Sequence, residues 1–553
     1  MIQGVKNSLL FGFLGALFFI PFLGGVHLFD WDEINFAECS REMMNLDSYL
    51  RVHINYQPFW EKPPFFFWLQ VISMNLFGVG EFAARFPNAM CGILTLIVLY
   101  NIGEKLYNKK FGLVWGLTYF GSVLPFLYFK SGIIDPWFNF FIFLGLYFFI
   151  LFYWKKEGVQ NLTLRKDKIF YLIVSGLLIG FALLTKGPVA YLIVVLCLGI
   201  YWILQKFRLY ISIPQFLMWT VTALSIMIVW LGIETVLNGT WFITTFTEYQ
   251  IRLFSTPDAG HGGFFGYHFV VLLLGCFPAS IFCIHALLTR SQSLIYQKDF
   301  KVWMSILFWV VLILFTIVKS KIVHYSSLAY FPLTFLAALS IYNIIIGKSK
   351  FNGWMKAGLI FIGGLYSLAT IALPFVGQRI ELIKPLFKKD PFALANLNAA
   401  VNWTGWESIA GIFLLGILIL SIYWINHNRK WLGFRTLFGG TAVFVMLTLI
   451  FFIGKIEQYS QGAAIAFFAD LKGKDVYVVT KGYKSYAHLY YTDKPPVTNP
   501  KSWDINWLLY GDIDKDLYLS TKINKVKDLE GVKGLRKIGE KNGFVFYKRD
   551  KVK

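Results

Sequence analysis

The stretch Phe29-Asp-Trp-Asp-Glu-Ile-Asn-Phe-Ala-Glu38 follows directly on an apolar run over residues 8–28. That junction decides how the rest of the chain is read. A run of about 20 apolar residues is long enough to cross the hydrocarbon of a bilayer. Asp30, Asp32 and Glu33 therefore stand where the chain leaves the membrane. The run follows a short basic N-terminus and lacks a small-residue cleavage site, which marks it as a retained span rather than a signal peptide.

Composition carries the same reading across the chain. Of 553 residues, 57% are hydrophobic and only 15% charged, where soluble domains carry roughly 25% charged residues. The mean hydropathy is +0.57. A soluble globular chain and a disordered one are both excluded. The aromatic share of 19% suits lipid-facing helices and their interfacial belts. The formal charge of +21 reads first as loop charge and head-group contact; no nucleic-acid motif accompanies it. The five Cys form no disulfide or zinc spacing.

Apolar runs recur after the first, beginning near Phe86, Phe111, Pro136, Ile169, Pro188, Gln215, Phe269, Val302, Tyr325, Lys356, Trp406 and Arg435. About thirteen spans are expected. Alternate loops divide by charge. Residues 105–110, 155–168, 206–208, 290–301, 348–356 and 429–435 are short and basic, which assigns them to the cytoplasm. The other loops are longer and hold Asp30, Asp32, Glu33, Glu38, Glu42, Glu61, Asp135, Glu248 and Asp258. These face outward. An odd number of spans also puts residues 454–553 outside, as a soluble α/β domain with strand-like runs at 476–479, 516–519 and 544–547. Its expected role is recognition or stabilisation. The expected fold is thus a polytopic α-helical membrane domain, 1–453, with interfacial helices in the outer loop 29–85, followed by that domain.

Charge at membrane depth is costly, so charges crowded at one rim need a reason. Asp32 and Glu33 are either acidic residues in the first turn of an interfacial helix, where the helix dipole favours them, or reactive carboxylates. Trp60-Glu-Lys-Pro-Pro64 holds Glu61 and Lys62 on a corner that cannot be helical; the plainer reading is a turn with an incidental ion pair. Asp135, in Ile133-Ile-Asp-Pro-Trp137, and Lys186, in Leu184-Thr-Lys-Gly-Pro188, sit at the mouths of later helices. Each is a helix-end residue or a site residue. Arg252 and His261 occupy a Gly-rich outer loop, and Lys319, Lys321, His324 and Tyr325 precede another span, as a head-group belt or as donors to a ligand.

Carboxylates and cations together at a lipid rim suit transfer of a group from an anionic lipid. For a sugar on a polyprenyl phosphate the leaving group is already acidic, so cations or a metal stabilise it. One carboxylate is then left to orient or deprotonate the acceptor. A transporter and a non-catalytic scaffold remain the rivals; transporters more often show repeats and charges at the midplane.

The chain resembles the lipid-linked sugar transferases of the GT-C class. It is nearest to the bacterial aminoarabinose-transferase branch and more distantly similar to the protein O-mannosyltransferases. The resemblance rests on Asp32-Glu33 with Phe36-Ala-Glu38 and Arg41-Glu-Met43, then Phe59-Trp-Glu-Lys-Pro-Pro64, Leu76-Phe-Gly78, Glu81-Phe-Ala-Ala-Arg85, Leu184-Thr-Lys-Gly-Pro188 and residues 319–325. It implies Asp32, with Glu33 beside it, as catalytic carboxylate and Asp135 as a second. It implies Lys62 and Tyr325 as contacts to the carrier phosphate, and Arg252, Lys186 and Lys321 are expected to join them. It admits a divalent metal, zinc or magnesium or manganese, at Glu61 and His261. The implied partners are a polyprenyl-phosphate sugar and a lipid A, glycan or protein acceptor, on the periplasmic face of a bacterial inner membrane. One departure stands out. The branch usually reads Asp-Glu-Thr-Arg-Tyr-Ala-Glu, and this chain has Asn35 and Phe36 in place of the Arg and Tyr.

Overall fold

The computed structural model describes residues 2–160, 162–255, 262–289 and 294–552. Among them, nine helices are long and apolar enough to cross a membrane, ten if the pair Tyr267–Gly275 and Ala279–Leu288, bent by 114°, is counted as one span. The thirteen expected runs are all helical, but four fall short of that test. The first helix ends at Phe19; the run from Phe111 is broken into Lys109–Phe120 and Val123–Tyr128; Val189–Leu204 has 16 residues; and the bent pair is the fourth. Hydropathy counts apolar residues and is blind to where a helix breaks.

The basic loops gather at one end of the bundle. Asn7 bonds Tyr100, Gln297 bonds the Leu106 carbonyl, Asn108 bonds Tyr342, and Lys156 bonds the Tyr210 carbonyl. In the middle, polar side chains tie helices together. Ser175 donates to the Gly145 carbonyl at 2.7 Å and accepts from Trp219 Nε1 at 3.0 Å, linking Lys168–Lys186 to Asp135–Lys156 and Ile213–Asn238. Without water as competitor, such bonds and close packing are what hold helices in lipid. The central spans are Asp135–Lys156 and Val323–Ile345, whose apolar windows are 78% and 83% buried, against 22% for Ile213–Asn238 at the periphery. The two central helices carry Asp135, His324 and Tyr325 at their ends away from the basic loops.

The last long helix, Lys430–Ser460, runs past the expected boundary at 453. The α/β domain then follows. Its sheet has the order Tyr477–Lys481, Leu517–Lys522, Phe544–Arg549, Leu535–Lys541, with the first pair parallel and the others antiparallel. The three expected strands are present. The fourth, Leu535–Lys541, is an edge strand bearing Arg536, Lys537, Glu540 and Lys541. Edge charge deters pairing with another chain and also removes the apolar alternation by which a strand is recognised. One face of the sheet packs on the domain's own Leu508, Leu509 and Ile513. The other face shares a core with the outer loop, Phe468, Val478 and Phe546 clustering with Leu28, Ile34, Met74 and Ala84.

Candidate active site at the rim opposite the basic loops

Six separate elements bring side chains to one cavity of about 270 Å³. Asp32 is the first residue of the helix Asp32–Asn45. Lys62 comes from the turn that Pro63 and Pro64 enforce before Phe65–Phe77. Asp135 starts its helix, and Lys186 ends Lys168–Lys186. There the chain turns through Gly187, whose φ of +104° and ψ of −165° lie in a region open to glycine almost alone. Tyr249 and Arg252 lie on Trp241–Ser255, and His324 and Tyr325 on the 3-10 turn Val323–Ala329. All of these residues, with Glu61, Asn35 and Phe36, line the cavity.

The charges are ordered. Lys186 Nζ is 2.6 Å from Asp135 Oδ1; Asp135 is buried and Lys186 partly buried. Lys62 Nζ donates to the Tyr249 hydroxyl at 3.2 Å, so the expected turn pair with Glu61 is not what holds it. The Arg252 guanidinium lies over the Tyr249 ring at 5.2 Å and Lys186 over the Tyr325 ring at 5.3 Å. Asp32 keeps 40% of its side chain exposed, with Oδ2 3.7 Å from His324 Nε2. It is the most open carboxylate of the Asp32, Glu33, Asp135 set.

The cavity has two neighbours. A small apolar one, about 80 Å³, shares Lys62, Asp135, Lys186 and Tyr325 and continues past Phe138, Val189, Ile193, Phe315 and Leu328. On the other side a space of about 510 Å³ shares Trp31 and Asp32 and is walled by Arg85, Lys130 and the apolar Met446, Leu449, Ile450 and Ile453. Asp32 thus stands between two chambers, and Lys62 between a polar chamber and a greasy one.

Two expected site residues have other work. Glu33 accepts from Arg85 Nε at 3.1 Å and Nη2 at 2.8 Å, from the Phe29 N–H at 2.9 Å and from the Gly132 N–H at 2.6 Å. Burial alone would raise its pKa, but Arg85 and the two amides bring it below the usual value. It is a strut fixing the loop to the bundle. Lys321 spends its three protons on the carbonyls of Phe315, Thr316 and Val318 at 3.0, 2.6 and 2.7 Å, satisfying the carbonyl end of Ile295–Ile317; it does not line the cavity. His261 lies outside the described residues. Among the described residues no group of three or more His, Cys, Asp and Glu could hold a metal.

Three contributors, Trp31, Tyr249 and Lys484, escaped the sequence reading, and His324 carried no assigned role in it. Trp31 divides the two chambers, Tyr249 seats two cations, His324 faces Asp32, and Lys484 reaches the cavity from the C-terminal domain. His324 was visible only as one of a basic cluster. Nothing marks Lys484 among 52 Lys and Arg.

The family described as dolichyl-phosphate-mannose-protein mannosyltransferase matches residues 61–233. A protein of Pectobacterium carotovorum named undecaprenyl phosphate-alpha-4-amino-4-deoxy-L-arabinose arabinosyl transferase is 24% identical over 422 residues, 74% of this chain and 71% of the relative. Its namesake in Photorhabdus laumondii is 27% identical over 386 residues, 67% of this chain and 68% of the relative. The crystal structure of ArnT from Cupriavidus metallidurans bound to undecaprenyl phosphate matches with a TM-score of 0.75 at 15% identity, covering 99% of this chain and 97% of that one. That last likeness shows a shared fold.

Proposed function

We propose that this chain, a GT-C glycosyltransferase similar to the aminoarabinose transferases and protein O-mannosyltransferases, moves a sugar from a polyprenyl phosphate to an acceptor at the periplasmic face of a bacterial inner membrane, with inversion at the anomeric carbon. The observation that carries this reading is the continuity from an apolar groove through Lys62, Lys186 and Tyr325 into the chamber holding Asp32. The groove takes the first isoprene units, the cations take the phosphate, and the sugar projects toward Asp32. Relatives named for an undecaprenyl-phosphate donor support the assignment.

In the reaction the bond from the anomeric carbon to the phosphate oxygen breaks as an acceptor oxygen bonds the opposite face of that carbon. The departing phosphate gains negative charge, which Lys62 and Arg252 stabilise without giving up a proton. A hydroxyl acceptor loses its proton to Asp32; a phosphate acceptor, already ionised, needs only to be oriented. Asp135 is paired with Lys186 and acts by holding that cation in place. The acceptor enters through the larger chamber. The Met446 to Ile453 wall of that chamber favours an acceptor with acyl chains, lipid A or another lipid-linked glycan, over a protein segment. Radiolabelled transfer by purified protein in nanodiscs tests the reading: product on a lipid acceptor, dependent on Lys62 and Asp32, is the expected result. Movement of intact donor across the bilayer without chemical change would instead identify a transporter, and labelled protein would make the acceptor a polypeptide.

A further inference from the structure

The C-terminal domain is bonded to the loop that carries Asp32. Beyond the shared apolar core, the Asp30 carboxylate accepts from the Ser485 hydroxyl and, at 3.4 Å, from the Tyr486 N–H. Gln461 brackets the same turn, accepting from the Asp30 N–H at 3.0 Å and donating to the Leu28 carbonyl at 2.7 Å. Tyr491 accepts from the Leu28 N–H at 2.7 Å. Farther along the helix, Arg41 donates to the Lys494 carbonyl and pairs with Asp493, both at 2.9 Å. Three residues ahead of Ser485, the chain passes Gly482 at φ +81°, where a Cβ would come within 2.7 Å of the Lys525 side chain. That turn delivers Lys484, exposed, with Nζ 4.2 Å from the Trp31 ring centroid. Lys484 makes no ion pair among the described residues.

Its place along the chamber is fixed by which residues the cavities share. The apolar groove touches Lys62, Asp135, Lys186 and Tyr325 but none of Trp31, Asp32, Glu61 or Lys484. Trp31 and Asp32 are the residues shared with the acceptor chamber. Phosphate therefore belongs at the first end, and Lys484, seated on Trp31, is at the second, where the sugar must lie to present its anomeric carbon.

We propose that Lys484 is a sugar-reading residue: the appended domain supplies an ammonium that contacts oxygen substituents of the transferred sugar and favours donors bearing hydroxyl or carboxylate there over donors bearing an amine. The inference rests on the donor assignment above and deepens it. An ammonium has three donors and no acceptor, so oxygen substituents satisfy it while a protonated amine at the same place repels it. Trp31 and Tyr486 hold it over ring faces, which fix a cation without neutralising it.

The test measures binding to the full-length protein in nanodiscs of bare polyprenyl phosphate, the same carrier bearing a neutral hexose, and the same carrier bearing a 4-amino pentose. In the wild type, the hexose carrier is expected to bind at least tenfold tighter than bare carrier and tighter than the amino-pentose carrier. Lys484→Ala should erase the hexose advantage and leave bare-carrier binding within twofold; Lys484→Arg should retain most of it. Lys62→Ala should weaken all three. An advantage that survives Lys484→Ala, an equal loss for bare carrier, or a wild-type preference for the amino pentose would each overturn the proposal. Failure of the wild type to bind bare carrier would overturn the donor assignment instead. Unchanged bare-carrier binding in Lys484→Ala also serves as its folding control.

Discussion

The carboxylate of Asp32 is open to a chamber on either side, while that of Glu33, its neighbour in the chain, is closed in by four donors. Adjacent positions on a helix point some 100° apart, which is enough to open one carboxylate to the cavities and turn the other onto Arg85. Asp32→Asn is expected to lower transfer by about 10²–10⁴-fold, the range for losing a general base, with the melting profile and carrier binding unchanged. Undiminished turnover would remove Asp32 from the mechanism. Glu33→Gln leaves Arg85 buried without its counter-charge, and breaking such a pair costs about 3–5 kcal/mol; scanning calorimetry or a thermal-shift assay should register a large loss of stability before any assay of turnover. The same logic separates two lysines. Lys62→Ala should weaken carrier binding in a stable protein, whereas Lys321→Ala should destabilise the end of Ile295–Ile317 and leave carrier binding in the folded fraction within a few-fold. Sequence ranked Glu33 and Lys321 with Asp32 and Lys62 because residue type and loop position were all it could weigh. The partners that commit Glu33 and Lys321, Arg85 and the carbonyls of residues 315–318, are supplied by folding.

At the scale of single elements, the ends of helices do the work. The helix Lys168–Lys186 stops at Gly187 with a backbone that other residues reach only under strain, and its last side chain is Lys186. Gly187→Ala should cost about 1–3 kcal/mol and, by shifting Lys186 from Asp135, raise the donor KM more than it lowers kcat; a wild-type KM in that variant would detach the turn from the site. The corner before Phe65–Phe77 was legible, since two prolines exclude helix there whatever surrounds them. The breaks at 121–122 and 276–278 were not, because the residues flanking them are as apolar as the helices they interrupt. The docked turn at Asp30 has a pH signature. Burial raises the Asp30 pKa from 3.8 to about 6, against the bonds from Ser485 and Tyr486 and the charge of Lys522. The folded state then holds a proton that the unfolded chain releases, so this residue's contribution to stability falls as pH rises from about 4 to about 6 and is flat above. Asp30→Asn should remove that slope; the difference in melting temperature between variant and wild type, followed from pH 4 to 7, is the check, and a difference independent of pH would refute it.

For the whole molecule, the division of loops by charge was the most informative feature of the sequence. Contacts among 7, 100, 106, 108, 297 and 342 gather the basic loops at one end, and the site lies at the other with residues 461–552. Single cysteines placed at exposed Lys350 and exposed Lys541 in a background lacking the native thiols should label from opposite sides of sealed vesicles, with 541 accessible from the periplasmic side; labelling from one side would contradict the orientation. What composition could not convey is that the last domain belongs to the site at all. It reads as a separate soluble unit because its strands and core are self-sufficient, while the residues that join it to the loop, Gln461, Lys484, Ser485 and Tyr491, are ordinary surface types.

That junction sets an order of events during biosynthesis. The turn at Asp30 and Trp31 is translated more than 400 residues before its bonding partners at 461, 485, 486 and 491. A chain stalled or truncated short of them lacks Lys484 and the bonds that fix the Asp30 turn, so the wall of the chamber beside Asp32 is completed late, by chain order alone.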